Sequence, residues 1–269
     1  MKIGGIVGET LARLRELEGG ALEGLRVERA VVGIAFTGVK LSDGRAGMAG
    51  TPHFECSRPP KAPQDRPPGA LRDCPVLSLF EPWPEDPFLD SLATAALNAL
   101  CSRWLEKGPY RCVWDRDALD LMDVRPGMAV TLVGAFPSYI ERLKAAGARL
   151  RVLELRESAL REEHRGYFVP ADRAHEVIPD SDMVLITGVT IPNGTLEDLL
   201  LLARPGAEAA VVGPSGSLLP DALFRRGATM ASGCVLTQPD AALELISQGA
   251  CARHLYGRCA RKLNLIALL

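Results

Sequence analysis

Apolar residues fall in two different rhythms along this chain, and the rhythm changes at Arg125-Pro126-Gly127. Before that point the elements are mixed. Leu11, Leu14 and Leu17 recur at helical spacing within Glu9 to Leu17, and Gly19-Gly20 closes the helix. Val27 to Thr37 is rich in Val, Ile and Phe and reads as a strand, continued by Val39 to Leu41. Ser42-Asp43-Gly44 is a turn signal, and Arg45 to Thr51 returns as a partner strand. The Gly and Ala of that return leave room for close backbone approach. Arg58 to Pro87 holds nine prolines, which excludes helix and central strand and predicts an irregular excursion anchored by its apolar residues. Asp90 or Ser91 then caps a strong helix over Leu92 to Leu105. Asp115 to Met122 reads as a short helical turn.

After Gly127 short apolar runs alternate with helical segments. Strands are expected at Met128–Val133, Leu150–Leu155, Met183–Ile186, Ala209–Val212 and Ala228–Ala231, with a last one at Lys262–Ala267. Helices are expected from Pro137 or Ser138 to Ala146, at Leu196–Ala203, at Leu219–Phe224 and at Asp240–Gln248. Glu157 to Ala174 is polar and mixed. Alternation at this spacing predicts a doubly wound, mostly parallel α/β sheet over 125–269, preceded by a smaller α+β unit over 1–124. Thr195 with Asp198 three residues on resembles a capping box at the start of Leu196–Ala203.

In such a sheet ligands bind at the carboxyl ends of the strands. The residues expected there are Gly134 and Phe136 after the first strand, Glu154 after the second, and Thr187, Gly188, Thr190, Asn193 and Thr195 after the third. Gly213, Pro214 and Ser215 follow the fourth, and Ser232-Gly233-Cys234 ends the fifth. Gly134-Ala-Phe-Pro-Ser138 lacks the three spaced glycines of a dinucleotide site, and Phe136 and Pro137 obstruct a pyrophosphate. Glu154 does lie where a ribose-binding acid would. A smaller ligand, or a nucleoside-type cofactor without pyrophosphate, is the reading left open. Gly213 to Ser217 suits either an anion or a plain turn.

Charge and cysteine content narrow the classes. A formal net charge of -2 on 269 residues argues against nucleic acid and anionic membranes as partners. The expected partner is a small molecule or metal, with self-association open. No apolar run approaches a membrane span, no signal-peptide pattern opens the chain, and a cytoplasmic location is expected. The seven cysteines are scattered and expected to be reduced. His53-Phe-Glu-Cys56 and Cys251-Ala-Arg-His254 through Cys259 mix thiols with imidazole, as zinc, copper or iron sites do, yet neither completes four ligands. Buried small residues explain Cys251 and Cys259 better. Cys234, expected at a strand end, is the thiol nearest the crevice. His164 and His175 lie in polar sequence and are expected to be solvated. Neither a nucleophile elbow nor a P-loop is present.

The ordered set Gly33-Ile-Ala-Phe-Thr-Gly-Val-Lys-Leu-Ser-Asp-Gly44, Ala95-Ala-Leu-Asn-Ala-Leu100, Val133-Gly-Ala-Phe-Pro137, Ser181-Asp-Met-Val-Leu-Ile-Thr-Gly188, Asn193-Gly-Thr-Leu-Glu197 and Val212-Gly-Pro-Ser215 resembles a prokaryotic family labelled "putative heavy-metal chelation". The resemblance covers nearly the whole chain. It implies an enolase-N-terminal-like domain joined to a Rossmann-like domain, with a ligand site between them. It also implies that Lys40, Asp43 and Asn98 turn toward that cleft. The groups at His53/Cys56 and Cys251/His254/Cys259 lie outside the family pattern. Two functions are expected in turn: binding of a metal ion or metal complex in the interdomain cleft, or an enzyme using a nucleoside-type cofactor on a small substrate.

Overall fold

The computed structural model describes residues 4–52, 69–81 and 86–268. Helix α1 (Gly5–Glu18) turns Ile6, Val7, Thr10, Leu11 and Leu14 inward, the stripe that helical spacing demands. Strands β1 (Val27–Val32), β2 (Phe36–Leu41) and β3 (Ala46–Gly50) form an antiparallel sheet in that order. The β2–β3 turn is fixed by Asp43, whose Oδ1 accepts from the Arg45 N–H at 3.2 Å. Helix α2 (Pro87–Cys101) begins earlier than its apolar run suggested. Its cap is Asp86, not Asp90 or Ser91: the Asp86 carboxylate accepts from the N–H groups of Phe88 and Leu89 at 2.9 and 3.3 Å. Pro87 in the first turn has the helical φ built in.

Every residue of α2 from Ser91 to Cys101 is buried. The helix is therefore enclosed rather than amphipathic, and its alanines let β3 lie directly on it. A Cβ at Gly47 would stand 2.3 Å from the Ala99 N and 2.4 Å from the Ala95 O. No larger residue fits there without moving backbone.

The second sheet holds eight strands. In chain order its parts are β4 (Tyr110–Trp114), β5 (Ala129–Val133), α3 (Pro137–Ala145), β6 (Arg149–Glu154), β7 (Phe168–Pro170), α4 (Ala174–Val177) and β8 (Met183–Thr187). There follow α5 (Leu196–Leu201), β9 (Glu208–Val212), α6 (Asp221–Phe224), β10 (Met230–Leu236), α7 (Pro239–Ser247), α8 (Ala252–Leu255) and β11 (Ala260–Ala267). The order across the sheet is β4-β11-β10-β9-β8-β5-β6-β7. The six strands from β10 to β7 are parallel, while β11 runs antiparallel between β10 and β4. Strand β4 precedes Arg125 in the chain yet forms the edge of this sheet. Counted along the chain, the parallel strands stand in the order 3-2-1-4-5-6, that of doubly wound dinucleotide-binding sheets.

Alternation along each strand divides two cores. Leu132, Val152, Leu185 and Ala210 face α3, against Tyr139, Ile140 and Leu143. Val133, Leu153, Ile186 and Val211 face the other way, into a core continuous with Leu14, Val39 and Leu97 of the small sheet and its helices. The two sheets therefore share one apolar interior. Of the proline-rich stretch, 69–81 and the last two residues, Asp86 and Pro87, are described; Val76–Phe80 forms a 3₁₀ turn that buries Val76, Leu79 and Phe80, as apolar anchors should. Among the described residues no helix is long and apolar enough to cross a membrane.

Ion pairs clasp α1 to the large sheet's helices. Glu9 accepts from Arg226 at 2.6 Å and also from Arg225, and Arg226 pairs in turn with Glu197. The hydrogen bonds from Arg226 and Arg225 pull the Glu9 carboxyl from the usual 4.5 to about 2. A depressed carboxyl stabilises the fold above its unfolded value and loses that contribution as pH falls toward the folded one. Between about pH 4.5 and 2, Glu9→Gln should flatten the fall of the melting temperature with pH while changing its slope little above pH 6. Parallel slopes for both proteins in that window would show that the clasp carries no stability.

Candidate functional site

The strand order reverses between β5 and β8, so the chain leaves these neighbours toward opposite sides, the place at which doubly wound sheets take ligands. Gly134 follows β5 with φ +99, a conformation that side chains resist. A Cβ there would stand 3.0 Å from the Thr187 Cγ2. Thr187 ends β8; its Oγ1 accepts from the Val189 N–H at 3.4 Å. Its carbonyl accepts from the Thr190 hydroxyl at 2.7 Å. Gly188 packs on the β9 loop, where a Cβ would meet the Gly216 N at 2.8 Å. The loops after β5, β8 and β9 thus touch at their bases.

The loop after β8 departs from expectation at its end. Thr195 precedes α5 but makes no side-chain cap, because its backbone is already helical (φ -105, ψ -10) where a capping residue is extended. Glu197 and Asp198 supply the negative charge in the first turn instead. Asn193, Gly194 and Thr195 are exposed, whereas Gly188 and Thr190 are buried.

From the small unit one expected residue reaches these loops. Asn98, 2% exposed on α2, donates through Nδ2 to Met48 O at 2.9 Å, Pro214 O at 3.0 Å and Ser215 O at 3.3 Å. Three carbonyls around one nitrogen fix the amide's orientation. Its Oδ1 is buried and meets no hydrogen-bond partner among the described residues. Ser215 Oγ accepts from the Gly50 N–H at 2.9 Å, and the Ser91 hydroxyl donates to Gly50 O at 2.6 Å. The seam between the units is hydrogen-bonded throughout this stretch.

Lys40 and Asp43 go elsewhere. Lys40 Nζ pairs with Glu28 at 2.8 Å and Asp240 at 2.9 Å, which raise its pKa in that order. Asp43 pairs with Arg45 at 2.7 Å and faces Arg103 at 3.6 Å. Arg45 also meets the buried Glu18. Both residues build salt bridges of the small unit and its contact with α7.

Glu154 ends β6 and splints the neighbouring loop: Oε2 accepts from the Ala135 N–H at 3.1 Å and Oε1 from the Leu155 N–H at 2.7 Å. Phe136 stacks on Tyr139 of α3, with centroids 5.6 Å apart. Cys234 is not at a strand end, since β10 continues to Leu236 and buries it. His53 and Cys56 lie outside the described residues. Cys251 and His254 cap α8 reciprocally, with the Cys251 N–H donating to His254 Nδ1 at 3.1 Å. Cys259 is buried, as expected of a small core residue. His164 is buried rather than solvated, its Nε2 2.5 Å from Glu141 Oε1, while His175 is exposed. The polar sequence around His164 hid this, because one acidic partner on α3 suffices to seat the ring.

The profile of the DUF364 family, described as "Putative heavy-metal chelation", matches residues 117–265. The chain belongs to the DUF364 family. A second profile, DUF4213, carries the same description and matches residues 14–101. Among solved structures, a DUF364 protein of unknown function from Desulfitobacterium hafniense DCB-2 is similar at TM-score 0.73 and 22% identity, over 95% of this chain and 100% of that one. A DUF364 protein from Pyrococcus horikoshii, also of unknown function, is similar at TM-score 0.76 and 19% identity, over 96% and 100%. Among curated proteins none matches. These likenesses establish a shared fold.

The DUF364 description implies a metal, and the donor set can be tested against it. Among the described residues no three of His, Cys, Asp or Glu gather. The strand-end loops instead carry Thr187, Thr190 and Ser215, of which Thr190 and Ser215 are buried and hydrogen-bonded within the protein. Sequence reasoning missed the roles of Gly50, which joins Ser215 across more than a hundred residues, and of Ser91, whose hydroxyl holds the Gly50 carbonyl.

Asn98 is the most exposed to test. Asn98→Ala leaves buried carbonyls without donors and should cost on the order of 2–4 kcal/mol in urea unfolding. Asn98→Asp turns a carboxylate on the same three carbonyls and should cost at least as much at pH 8, with partial recovery at pH 5. A loss under about 0.5 kcal/mol for alanine would show that the seam does not depend on this amide.

Proposed function

We propose that the chain binds a metal-bearing small molecule at the crevice where the strand order reverses, with the small unit's edge closing one side. The observation that carries this reading is the reversal between β5 and β8, flanked by Gly134 on one side and Thr187-Gly188 on the other. The family's description supplies the metal. Hydroxyls, an amide and backbone groups supply the means of holding the molecule that surrounds it. Gly134 lets the half-buried Thr187 stand against the β5 loop, Thr187 orients the ligand by hydrogen bonds, and Asn98 holds the β9 loop in place. The chain offers no described acid–base pair at these positions, so binding rather than catalysis is the primary reading.

Protein purified without chelator should carry close to one equivalent of metal by elemental analysis, and Thr187→Val should lower that content several-fold with its far-ultraviolet spectrum unchanged. A ligand present at a hundred times its dissociation constant stabilises by about 2.7 kcal/mol, a melting shift of several degrees. Metal-free protein that no ion or chelate of a broad panel shifts would end this reading.

Glu154 favours a second reading, an enzyme using a nucleoside-type cofactor. It stands at the end of the second strand beside the Gly134 loop, and each of its oxygens keeps a lone pair after accepting one amide. S-adenosyl compounds or nucleotides should then raise the melting temperature of the wild type and not of Glu154→Ala. A flat response of the wild type to that whole set dismisses it.

A further inference from the structure

Heavy metals favour thiolate ligands, and Cys234 is the thiol that the loops of the large sheet stand over. Its surroundings are those of a packing residue. It is 6% exposed and belongs to an apolar cluster with Ala46 and Met48 of β3 and with Leu236, Leu243 and Ile246. The Cys234 N–H donates to Ser217 Oγ at 2.8 Å. The Ser217 hydroxyl donates to Pro214 O at 2.6 Å and stands 3.8 Å from the sulfur. Tyr256 packs against the same cluster. Gly233 beside it admits Ser217, since a Cβ there would lie 2.4 Å from the Ser217 Oγ. A metal could reach this sulfur only by lifting β3 and the β9 loop off β10. Burial also pushes the thiol up to about 12, so the protonated form that metals must displace prevails at neutral pH.

We infer that Cys234 is a strut holding loop 213–217 onto β10 and not a metal ligand, and that the chain takes its metal inside a complex bringing its own donor groups. The second half rests on the metal-complex reading above; the first does not. Hydroxyls and amides recognise the outer surface of such a complex by hydrogen bonds, whereas a bare soft ion requires a gathered set of thiolates and imidazoles. The described residues hold no such set.

The test compares the full chain with Cys234→Ala and Cys234→Ser, the serine variant guarding against a misfolded alanine variant. Each is titrated with cadmium chloride while the ultraviolet cadmium–thiolate band is followed, and each is melted with cadmium chloride, ferric citrate or copper–histidine. The expected result is a band of equal amplitude in all three proteins, lower melting temperatures for the variants with alanine the lower, and a shift with a chelate but not with cadmium chloride. A band that loses one thiolate's share in both variants overturns the strut assignment. A shift with cadmium chloride alone overturns the second half while leaving the chelation family reading intact. A shift with none of the three probes counts against the metal-complex reading itself, and the band comparison still decides the role of Cys234.

Discussion

The contact on which the rest depends is the one between α2, β3 and the β9 loop. Gly47 brings the strand's backbone against Ala95 and Ala99, and that closeness lets Asn98 reach past β3 to Pro214 and Ser215. The Asn98 amide nitrogen has its carbonyl partners in place, and removing it leaves those buried carbonyls without that donor. Small residues and one amide therefore do together what neither could do alone. The alanines and the glycine set the distance, and the amide fixes the register of the small sheet against the carboxyl edge of the large one. The geometry of the loops after β8 and β9 follows, since Gly188 packs on Gly216 and Ser215 holds Gly50.

Much of the fold was legible because parallel strands buried on both faces are mostly apolar runs, and β5, β8 and β9 each hold a single polar residue. The errors have local causes. Ser232-Gly233-Cys234 looked like the end of a strand because small and polar residues usually punctuate. Here they continue β10, with the glycine admitting Ser217 and the Ser232 carbonyl accepting from the Gly213 N–H at 2.9 Å. Asp86 was passed over as a cap because Pro87 seemed to belong to the proline-rich stretch. Thr195 carried the right letters for a capping box but not the extended backbone, which depends on how the preceding turn at Gly194 winds.

The strand ends were legible in place, but the partners of the residues there were not. The strand-end rule found Gly134, Thr187, Gly188 and Ser215 without any knowledge of what they touch. It offered no way to see that Lys40 is consumed by Glu28 and Asp240, the latter two hundred residues away, or that Asp43 serves Arg45. Long-range ion pairs leave no periodic trace in sequence, because a surface charge and a paired one are written identically. Glu154 shows the intermediate case: its position at the end of β6 was readable, its use as a splint for Ala135 was not.

This bookkeeping of charges bears on what the crevice can select. Lys40, Asp43, Glu9, Arg225 and Arg226 all spend their charge on holding elements together. What remains at the β5–β8–β9 loops is the Glu154 carboxylate and a set of neutral hydrogen-bonding groups. Neutral groups discriminate by geometry more than by charge, because each donor or acceptor left unpaired in a buried site costs about 1–3 kcal/mol. A site of this kind distinguishes ligands by where their oxygens and nitrogens lie. A bare cation presents no such pattern, whereas an organic shell around a metal does. On the proposed reading, the composition of these loops, and not the count of cysteines, decides what the crevice takes.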